Sequence, residues 1–318
     1  MDLTCDEEML SESEGGTPMP RRLQNDPAVR PMQFFDDMPP AIIDPSLVQD
    51  DRVLENMLKV EERLMPSVVS FKLIQSEITP DMRQSVATWM YEVCEEEGVP
   101  ESVFLRAINY VDRFLSVHKI ERTQFQLLGA ACMLISSKWM GSVLSTDRLI
   151  FYTANSITLE MLLEWEMMIL TQFKWDMFTI VPSDFVEHIL YRLPSNLWNV
   201  PNVRETAKTY TAFCATDHNF CVHPPSMIAA ATIAASIGHH VRPEVLNDAL
   251  HLLHEITKIE TDVLRGCMEK VKMKIPVTKE NLNVPGPSDP GHPILVGADK
   301  LEELEQAETP TDVGDIHF

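Results

Sequence analysis

The residues whose spacing comes closest to a chemical site are two histidines in a helical stretch late in the chain. His251-Leu-Leu-His254-Glu255 places two imidazoles three residues apart on one helix face. The zinc-peptidase pattern is His-Glu-x-x-His, and here Lys258 stands in place of its last histidine. We therefore interpret these residues as ordinary helix positions and predict no metal site.

A second group, in which His218 and His223 flank Cys221, lies where a helix should give way to Pro224. We interpret it in the same way. The chain has no Gly-rich phosphate loop and no Gly-x-Ser-x-Gly elbow, so we expect no enzymatic activity and no cofactor. A helical hydrolase with a histidine site remains an alternative that metal analysis would test.

Two further features of the sequence suggest interactions rather than catalysis. Asp112 lies in an apolar surround and needs a cationic partner or a hydrogen-bond network. Near the N-terminus, alternate residues Leu3, Cys5 and Glu7 would share one side of an extended peptide, a form suited to docking in a groove. A pattern of only three positions also arises by chance.

Two almost wholly apolar stretches, offset by 100 residues, must form the centres of the fold. They run from Phe125 to Lys138 and from Pro225 to Ile237. A helix that is apolar all round has to be surrounded by other helices, and Gly129 allows a close approach. Thr123 and Gln126 predict a capping box at the start of the first stretch.

The remaining periodicity predicts an all-α fold without strands. One amphipathic helix, 49–65, precedes two repeats of five helices each. We predict a leader over 1–48, a first domain with the preceding helix over 49–178, a second domain over 179–275 and a tail over 276–318. Of the net charge of −22, the first 51 residues carry −9 and residues 276–318 carry −7. We expect these acidic ends to be disordered.

The same composition limits the partners and the compartment. An acidic chain lacks the positive surface that non-specific nucleic-acid binding needs. No run reaches the roughly 18 apolar residues of a membrane span, and no signal peptide is visible. The six cysteines contain no Cys-x-x-Cys pair, which indicates free thiols in a reducing compartment. We expect a soluble intracellular protein without nucleic-acid or membrane partners.

Three long motifs in the same order resemble the cyclin box. They are Met82-Arg83-x-x-Val86-x-x-Trp89-Met90, Asn109-Tyr110-x-Asp112-Arg113-Phe114-Leu115-Ser116 and Leu127-Leu-Gly-Ala-x-Cys132-Met-x-x-x-Ser137-Lys138. The resemblance covers about 51–273. The ends resemble those of D-type cyclins: Leu3-x-Cys5-x-Glu7 is similar to their retinoblastoma-binding motif, and the segment around Thr309-Pro310 is similar to their phosphodegron.

The resemblance implies roles for particular residues. Lys138 and Glu166 would contact the kinase, and we expect both to be exposed in the free protein. Arg83 and Asp112 would form a buried ion pair, which answers the need of Asp112 for a partner. The family's docking patch for Arg-x-Leu peptides of substrates and kinase inhibitors matches five residues: Met82, Val86, Trp89, Phe125 and Gln126. Trp139-Met140-Gly141 departs from the acidic residues common after this lysine.

Taken together, the resemblance implies a non-catalytic regulatory subunit for a cyclin-dependent kinase of the 4/6 class. The kinase, once activated by this subunit, would phosphorylate retinoblastoma-family proteins at the G1/S transition. Phosphorylated Thr309 would bind a ubiquitin ligase, and the protein would be found in nucleus and cytoplasm. The alternative is a cyclin-fold transcription regulator without kinase activation, which should show a basic face and often a zinc ribbon.

Overall fold

The computed structural model describes residues 44–142, 144–198 and 202–274, and the predicted leader and tail motifs lie outside these ranges. Every regular element within them is helical, as the sequence predicted. The α-helices are α1 Pro45–Val48, α2 Asp51–Leu64, α3 Val68–Ile74, α4 Pro80–Glu96, α5 Glu101–Leu115, α6 Phe125–Trp139, α7 Thr146–Tyr152, α8 Leu159–Gln172, α9 Pro182–Leu190, α10 Ser195–Trp198, α11 Val203–Thr216, α12 Pro225–Gly238, α13 Pro243–Thr257 and α14 Thr261–Lys274.

Helices α4 to α8 form the first repeat around α6, whose residues from Leu127 to Ser137 are all buried. The predicted cap at Thr123 is wrong. A short 3₁₀ turn over Arg122–Gln124 leads into α6, and the Gln124 side chain accepts a hydrogen bond from the Glu121 amide at 2.9 Å. The capping residues therefore lie two positions earlier than predicted, because the extra turn extends the helix start.

The second repeat consists of α9 and α11 to α14 and is centred on α12, which is buried from Ser226 to Ile237. Helix α12 begins at Pro224-Pro225, and neither proline can cap it with a side chain. Glu61 of α2 supplies the missing acceptor: it takes hydrogen bonds from the Ser226 amide at 2.8 Å and the Ser226 hydroxyl at 2.7 Å. Helix α2 therefore packs on the second repeat, although it precedes the first in sequence.

Helix α3 lies between α2 and α4, in a stretch for which no helix was predicted from the sequence. The Ser67 hydroxyl accepts from the Ser70 amide at 3.2 Å, and Phe71 is buried. At the end of α3, the side-chain amide of Gln75 donates to the backbone carbonyls of Leu115 and His118, both at 2.7 Å. Gln75 therefore fixes the chain as it leaves α5.

The predicted ion pair between Arg83 and Asp112 is present and joins more than two helices. The Arg83 side chain is 1% exposed and donates to Asp112 at 2.7 and 3.0 Å. Its Nη1 donates to the Ala215 and Thr216 carbonyls at 2.7 and 2.9 Å. These carbonyls end α11 and have no partner within it, so Arg83 ties both repeats together.

The described residues include no helix with both the length and the apolar character needed to cross a membrane. Five cysteines are free, and all but Cys221 are buried.

Candidate functional site

Lys138 and Glu166 lie together on the surface of the first repeat. Lys138 is in the last turn of α6, and its Nζ lies 2.6 and 2.8 Å from the two carboxylate oxygens of Glu166 on α8. The Lys138 side chain is 55% exposed, whereas that of Glu166 is only 10% exposed. The expectation that both are exposed is wrong for Glu166, because α8 turns that residue toward the core beside Leu162 and Ile169.

Exposed apolar side chains lie on the same two helices as this pair. Along α8, Leu159, Leu163 and Met167 recur every four residues and are 40–51% exposed. This spacing puts them in one stripe on the helix surface, and Leu163 lies one turn before Glu166. Trp139, next to Lys138, is 56% exposed.

The turn that follows α8 also exposes apolar side chains. Trp175 and Phe178 are 63% and 52% exposed. Arg113 of α5 holds this turn in place. Its guanidinium lies 4.4 Å from the centre of the Phe173 ring and donates to the Asp176 carbonyl at 3.1 Å. Trp175 has a φ of +62°, in the left-handed region that residues other than glycine rarely adopt, so the surrounding turn must hold its backbone in place. We call the pair, the stripe, Trp139, Trp175 and Phe178 the α6–α8 surface.

The predicted docking patch divides between surface and core. Val86, Trp89 and Phe125 are buried, with at most 5% exposure, whereas Met82 and Gln126 are partly exposed. The reason is the close crossing of α4 and α6 at Gly129, where a Cβ atom would lie 3.2 Å from Val86 and 3.4 Å from Trp89. The Trp89 indole also donates to the Tyr152 carbonyl at 3.2 Å. The expectation that Trp89 lies in an exposed docking groove is therefore wrong, and Val86 and Phe125 of the predicted patch are buried with it.

Two of the histidines singled out in the sequence, His254 and His218, have structural contacts. His254 Nδ1 lies 2.8 Å from the Ile259 carbonyl beyond the end of α13, and the tilted rings of His218 and Phe71 have centres 5.4 Å apart. The Cys221 thiol lies 3.6 Å from Asp112 and donates to it. In the three ranges that the structure describes, no group of three or more acidic, histidine or cysteine side chains could hold a metal ion.

The apolar stripe of the α6–α8 surface was not predicted from the sequence. A signal for it was present. Helix α8 reads Leu-Glu-Met-Leu-Leu-Glu-Trp-Glu-Met-Met-Ile-Leu, with more apolar positions than one core-facing side can bury. An excess of this kind on a helix near the surface predicts a second contact face.

The arrangement matches known families over most of its length. Residues 52–178 match the model of the cyclin N-terminal domain, and residues 180–283 match that of the cyclin C-terminal domain. These bounds agree with a division of the described helices into two repeats between α8 and α9.

Relatives cover nearly the whole chain. It is 42% identical to the G1/S-specific cyclin-D2 of Gallus gallus over 89% of this chain and 97% of the relative. It is 40% identical to the G1/S-specific cyclin-D1 of Danio rerio over 85% of this chain and 92% of the relative. The crystal structure of a viral cyclin from herpesvirus saimiri superposes with a TM-score of 0.61 at 28% identity, covering 70% of this chain and 98% of that one. The chain therefore belongs to the cyclin family, in its D-type class, whose members are regulatory subunits of protein kinases rather than catalysts.

Proposed function

We propose that this chain activates a cyclin-dependent kinase of the 4/6 class and directs it to retinoblastoma-family proteins, so that the cell passes from G1 to S. The observation that carries the proposal is the α6–α8 surface, in which a charged pair and exposed apolar side chains lie on the same two helices and on the turn after α8. Exposed apolar side chains that recur along one helix face, unlike single scattered ones, mark an interaction site. The similarity to G1/S-specific cyclins supports the choice of kinase class.

The chemistry of this surface suits a kinase's regulatory helix. Leu163, Met167 and Trp175 offer the apolar and aromatic area that forms the centre of protein interfaces. Lys138 retains donor capacity beyond Glu166, since an ammonium carries three N–H groups and is 55% exposed. It can therefore donate to a partner's carbonyl or carboxylate while remaining paired with Glu166.

The mechanism that follows is allosteric. A kinase is active when its regulatory helix lies inward and places a glutamate against the lysine that orients the ATP phosphates. The cyclin binds that inward position better than the outward one, and this difference in affinity shifts the equilibrium. The chain itself supplies no group to the phosphoryl transfer.

The proposal is tested by mixing the purified chain with purified cyclin-dependent kinases of several classes. Phosphorylation of a retinoblastoma fragment should rise with kinases of the 4/6 class and much less with the others. If the folded chain activates none of the kinases, the proposal is wrong. If it activates only a kinase of another class, the choice of class is wrong.

We further propose that Leu3, Cys5 and Glu7 bind a retinoblastoma pocket domain. These residues lie outside the described ranges, and their spacing is the support. A peptide of residues 1–12 should bind the pocket domain with moderate affinity. Cys5→Gly should abolish that binding, and equal binding by the two peptides would leave the pattern a coincidence.

Capture of Arg-x-Leu peptides, from substrates or kinase inhibitors, is proposed for the exposed part of the predicted patch. Met82 and Gln126 are its partly exposed members. Both Met82→Ala and Gln126→Ala should weaken capture of such a peptide without changing kinase pairing. Unchanged peptide affinity in both variants would remove this function from the α4–α6 face.

Removal of the protein is proposed to depend on Thr309, which precedes Pro310 in the acidic tail outside the described ranges. A phosphate on Thr309 adds about −1.5 to −2 charge, and the residues beside it in the sequence include Glu308 and Asp312 but no base. The phosphate would therefore serve as a ligand for the basic pocket of a ubiquitin ligase. Thr309→Ala should prolong the protein's lifetime in dividing cells and shift it from the cytoplasm toward the nucleus. Identical lifetimes and distributions would exclude Thr309 as the switch.

A further inference from the structure

A groove on the second repeat lies between α2 and the end of α13. It holds about 500 Å³ of space that solvent can enter, which is within the range of known binding sites. Its floor is apolar and consists of Leu54 and Leu58 of α2 and Ile256 of α13, which also pack in or against the core of the second repeat. The other residues that line it are charged: Asp51, Glu55, Lys59, Arg192, Glu255 and Lys258. An apolar floor with a charged rim suits a short amphipathic segment of protein chain.

The rim of the groove is neutral overall but keeps two lysines available. Its three acidic and three basic residues cancel, in a chain whose net charge is −22. Lys258 Nζ donates to the Glu255 carbonyl at 2.6 Å, and its other two protons have no acceptor among the described residues. Lys59 Nζ lies 3.6 Å from Glu55, and the two side chains are 70% and 64% exposed, so this ion pair contributes little. Carboxylates of a bound segment can therefore pair with lysines on both walls.

The tail of this chain contains a segment of matching chemistry. Residues 294–305, outside the described ranges, read Ile-Leu-Val-Gly-Ala-Asp-Lys-Leu-Glu-Glu-Leu-Glu. Leu301 and Leu304, with Ile294 before them, supply apolar side chains for the floor of the groove. Four acidic residues and one lysine give the segment a net charge of −3. The neutral rim with its two lysines accepts such a segment, whereas the acidic chain as a whole repels it.

The chain between α14 and this segment is long enough to bring it to the groove. Helix α14 begins at Thr261, three residues after Lys258 of the rim, and ends at Lys274. Its 14 residues are about 21 Å long, so the tail leaves the second repeat roughly 20–30 Å from the groove. The intervening residues 275–293 can extend to about 65 Å. Because both partners belong to one chain, binding also gains from a high effective concentration.

We propose that the groove between α2 and α13 binds residues 294–305 of the chain's own tail. The aliphatic side chains of the segment cover the apolar floor, and its carboxylates pair with Lys59 and Lys258. The segment ends four residues before Thr309, so the contact holds Thr309 close to the second repeat and slows its phosphorylation. That consequence rests on the function proposed for Thr309, whereas the contact itself does not.

The contact is tested by methyl NMR of the full-length protein, with Ile256 as the reporter in the floor of the groove. In the double variant Leu301→Ser with Leu304→Ser the segment loses its apolar anchors, and we expect the Ile256 methyl resonances to shift. Leu282→Ser with Val284→Ser makes a matched change elsewhere in the tail and should leave them in place. The proposal is overturned if the first double variant does not move them. It is also overturned if their position in the unchanged protein depends on protein concentration, which would assign the groove to a second copy.

The charged rim is tested with a peptide of residues 294–305, added to the first double variant. The peptide should return the Ile256 resonances to their position in the unchanged protein. Lys59→Glu in that variant should weaken peptide binding about three- to tenfold, whereas Arg63→Glu, an exposed base one turn further along α2 and outside the groove lining, should not. With the natural tail, a proline-directed kinase should phosphorylate Thr309 several-fold faster in Lys59→Glu than in Arg63→Glu. Equal peptide affinities overturn the contact, and equal rates overturn its effect on Thr309; the lifetime of Thr309→Ala tests the degradation function separately.

Discussion

Glu61 acts as the missing cap of a helix to which it does not belong. Its carboxylate, 5% exposed, accepts both the amide and the hydroxyl of Ser226 at the start of α12. The positive end of the helix dipole favours an acidic group at this place. Pro224 and Pro225 cannot replace this cap, so Glu61 joins α2 to the second repeat by hydrogen bonds, in addition to the apolar contact that Leu54 of α2 makes with that repeat's core.

Glu61→Ala should lower the free energy of unfolding by about 2–3 kcal/mol, since a cap and two charge-assisted hydrogen bonds are lost. Glu62→Ala, at an exposed neighbouring position, should change it by less than about 0.5 kcal/mol. Urea unfolding of both variants measures the difference. Equal effects would mean that Glu61 does not cap α12.

The contacts of Arg83 and Asp112 were predicted only in part from the sequence. The resemblance led to the pairing of Arg83 with Asp112, and the apolar surround of Asp112 gave a physical reason for it. It did not predict that Arg83 also bonds the carbonyls at the end of α11, because those residues lie more than 130 positions away and depend on how the repeats meet. Similarly, Lys138 and Glu166 were predicted to lie on one kinase-binding surface, but the ion pair between them was not predicted.

The close crossing of helices α4 and α6 determines which residues of the predicted docking patch are buried. Gly129 brings the helices so close that Val86 and Trp89 pack into the core. The i, i+4, i+7 stripe of α4 fits either a core face or a groove, and sequence spacing cannot distinguish them. The distance between two helix axes settles the choice, and it depends on residues of the other helix.

Trp89→Ala should therefore destabilise the fold by about 3–5 kcal/mol, as for a buried aromatic. Gln126→Ala, at a partly exposed position on the partner helix, should cost less than about 0.5 kcal/mol. Thermal unfolding followed by circular dichroism measures both. A small effect of Trp89→Ala would mean that the side chain lies in an open groove after all.

Helices α5 and α11 meet at the largely buried carboxyl group of Glu101. Thr211 Oγ1 lies 2.7 Å from Glu101 Oε1 and 2.6 Å from the Lys208 carbonyl, but a hydroxyl has only one proton to donate. Thr211 donates to Glu101 when that carboxyl group is ionised, and when it is protonated Glu101 can donate to Thr211, which then donates to the Lys208 carbonyl. Burial raises the pKa of Glu101 to about 7, with a smaller increase from Glu205, while Thr211 and Lys208 lower it.

This geometry predicts a pH-dependent contribution to stability. The folded chain holds the proton of Glu101 more tightly than the unfolded chain, in which its pKa is near 4.5. The contribution is therefore complete below pH 4.5 and is lost as the pH rises through 7, with a total of about 2 kcal/mol after allowance for partial exposure. Glu101→Gln cannot titrate, so its stability relative to the unchanged protein should rise between pH 5 and pH 8. A constant difference over that range, measured by urea unfolding, would contradict the assignment.

At the scale of the whole molecule, the apolar stripe should matter for binding and not for folding. Met167 is 51% exposed on the α6–α8 surface, and Met273 is 78% exposed on the other repeat. Met167→Ala should weaken binding to a kinase of the 4/6 class about tenfold, as expected for a residue near an interface centre. Met273→Ala should leave binding unchanged, and neither should alter the melting temperature appreciably. Calorimetric titration with the purified kinase compares them, and equal effects would move the interface elsewhere.

The most direct test of kinase binding by the α6–α8 surface reverses the charges of Lys138 and Glu166. In the double variant Lys138→Glu with Glu166→Lys, the internal ion pair remains while the charges presented to a partner are exchanged. We predict that helical melting stays close to that of the unchanged protein, whereas activation of a 4/6-class kinase falls at least about tenfold because like charges meet at the interface. Lys270→Glu, a reversal at an exposed lysine of the second repeat, should activate normally. Full activation by the folded double variant would contradict the claim that this surface binds the kinase.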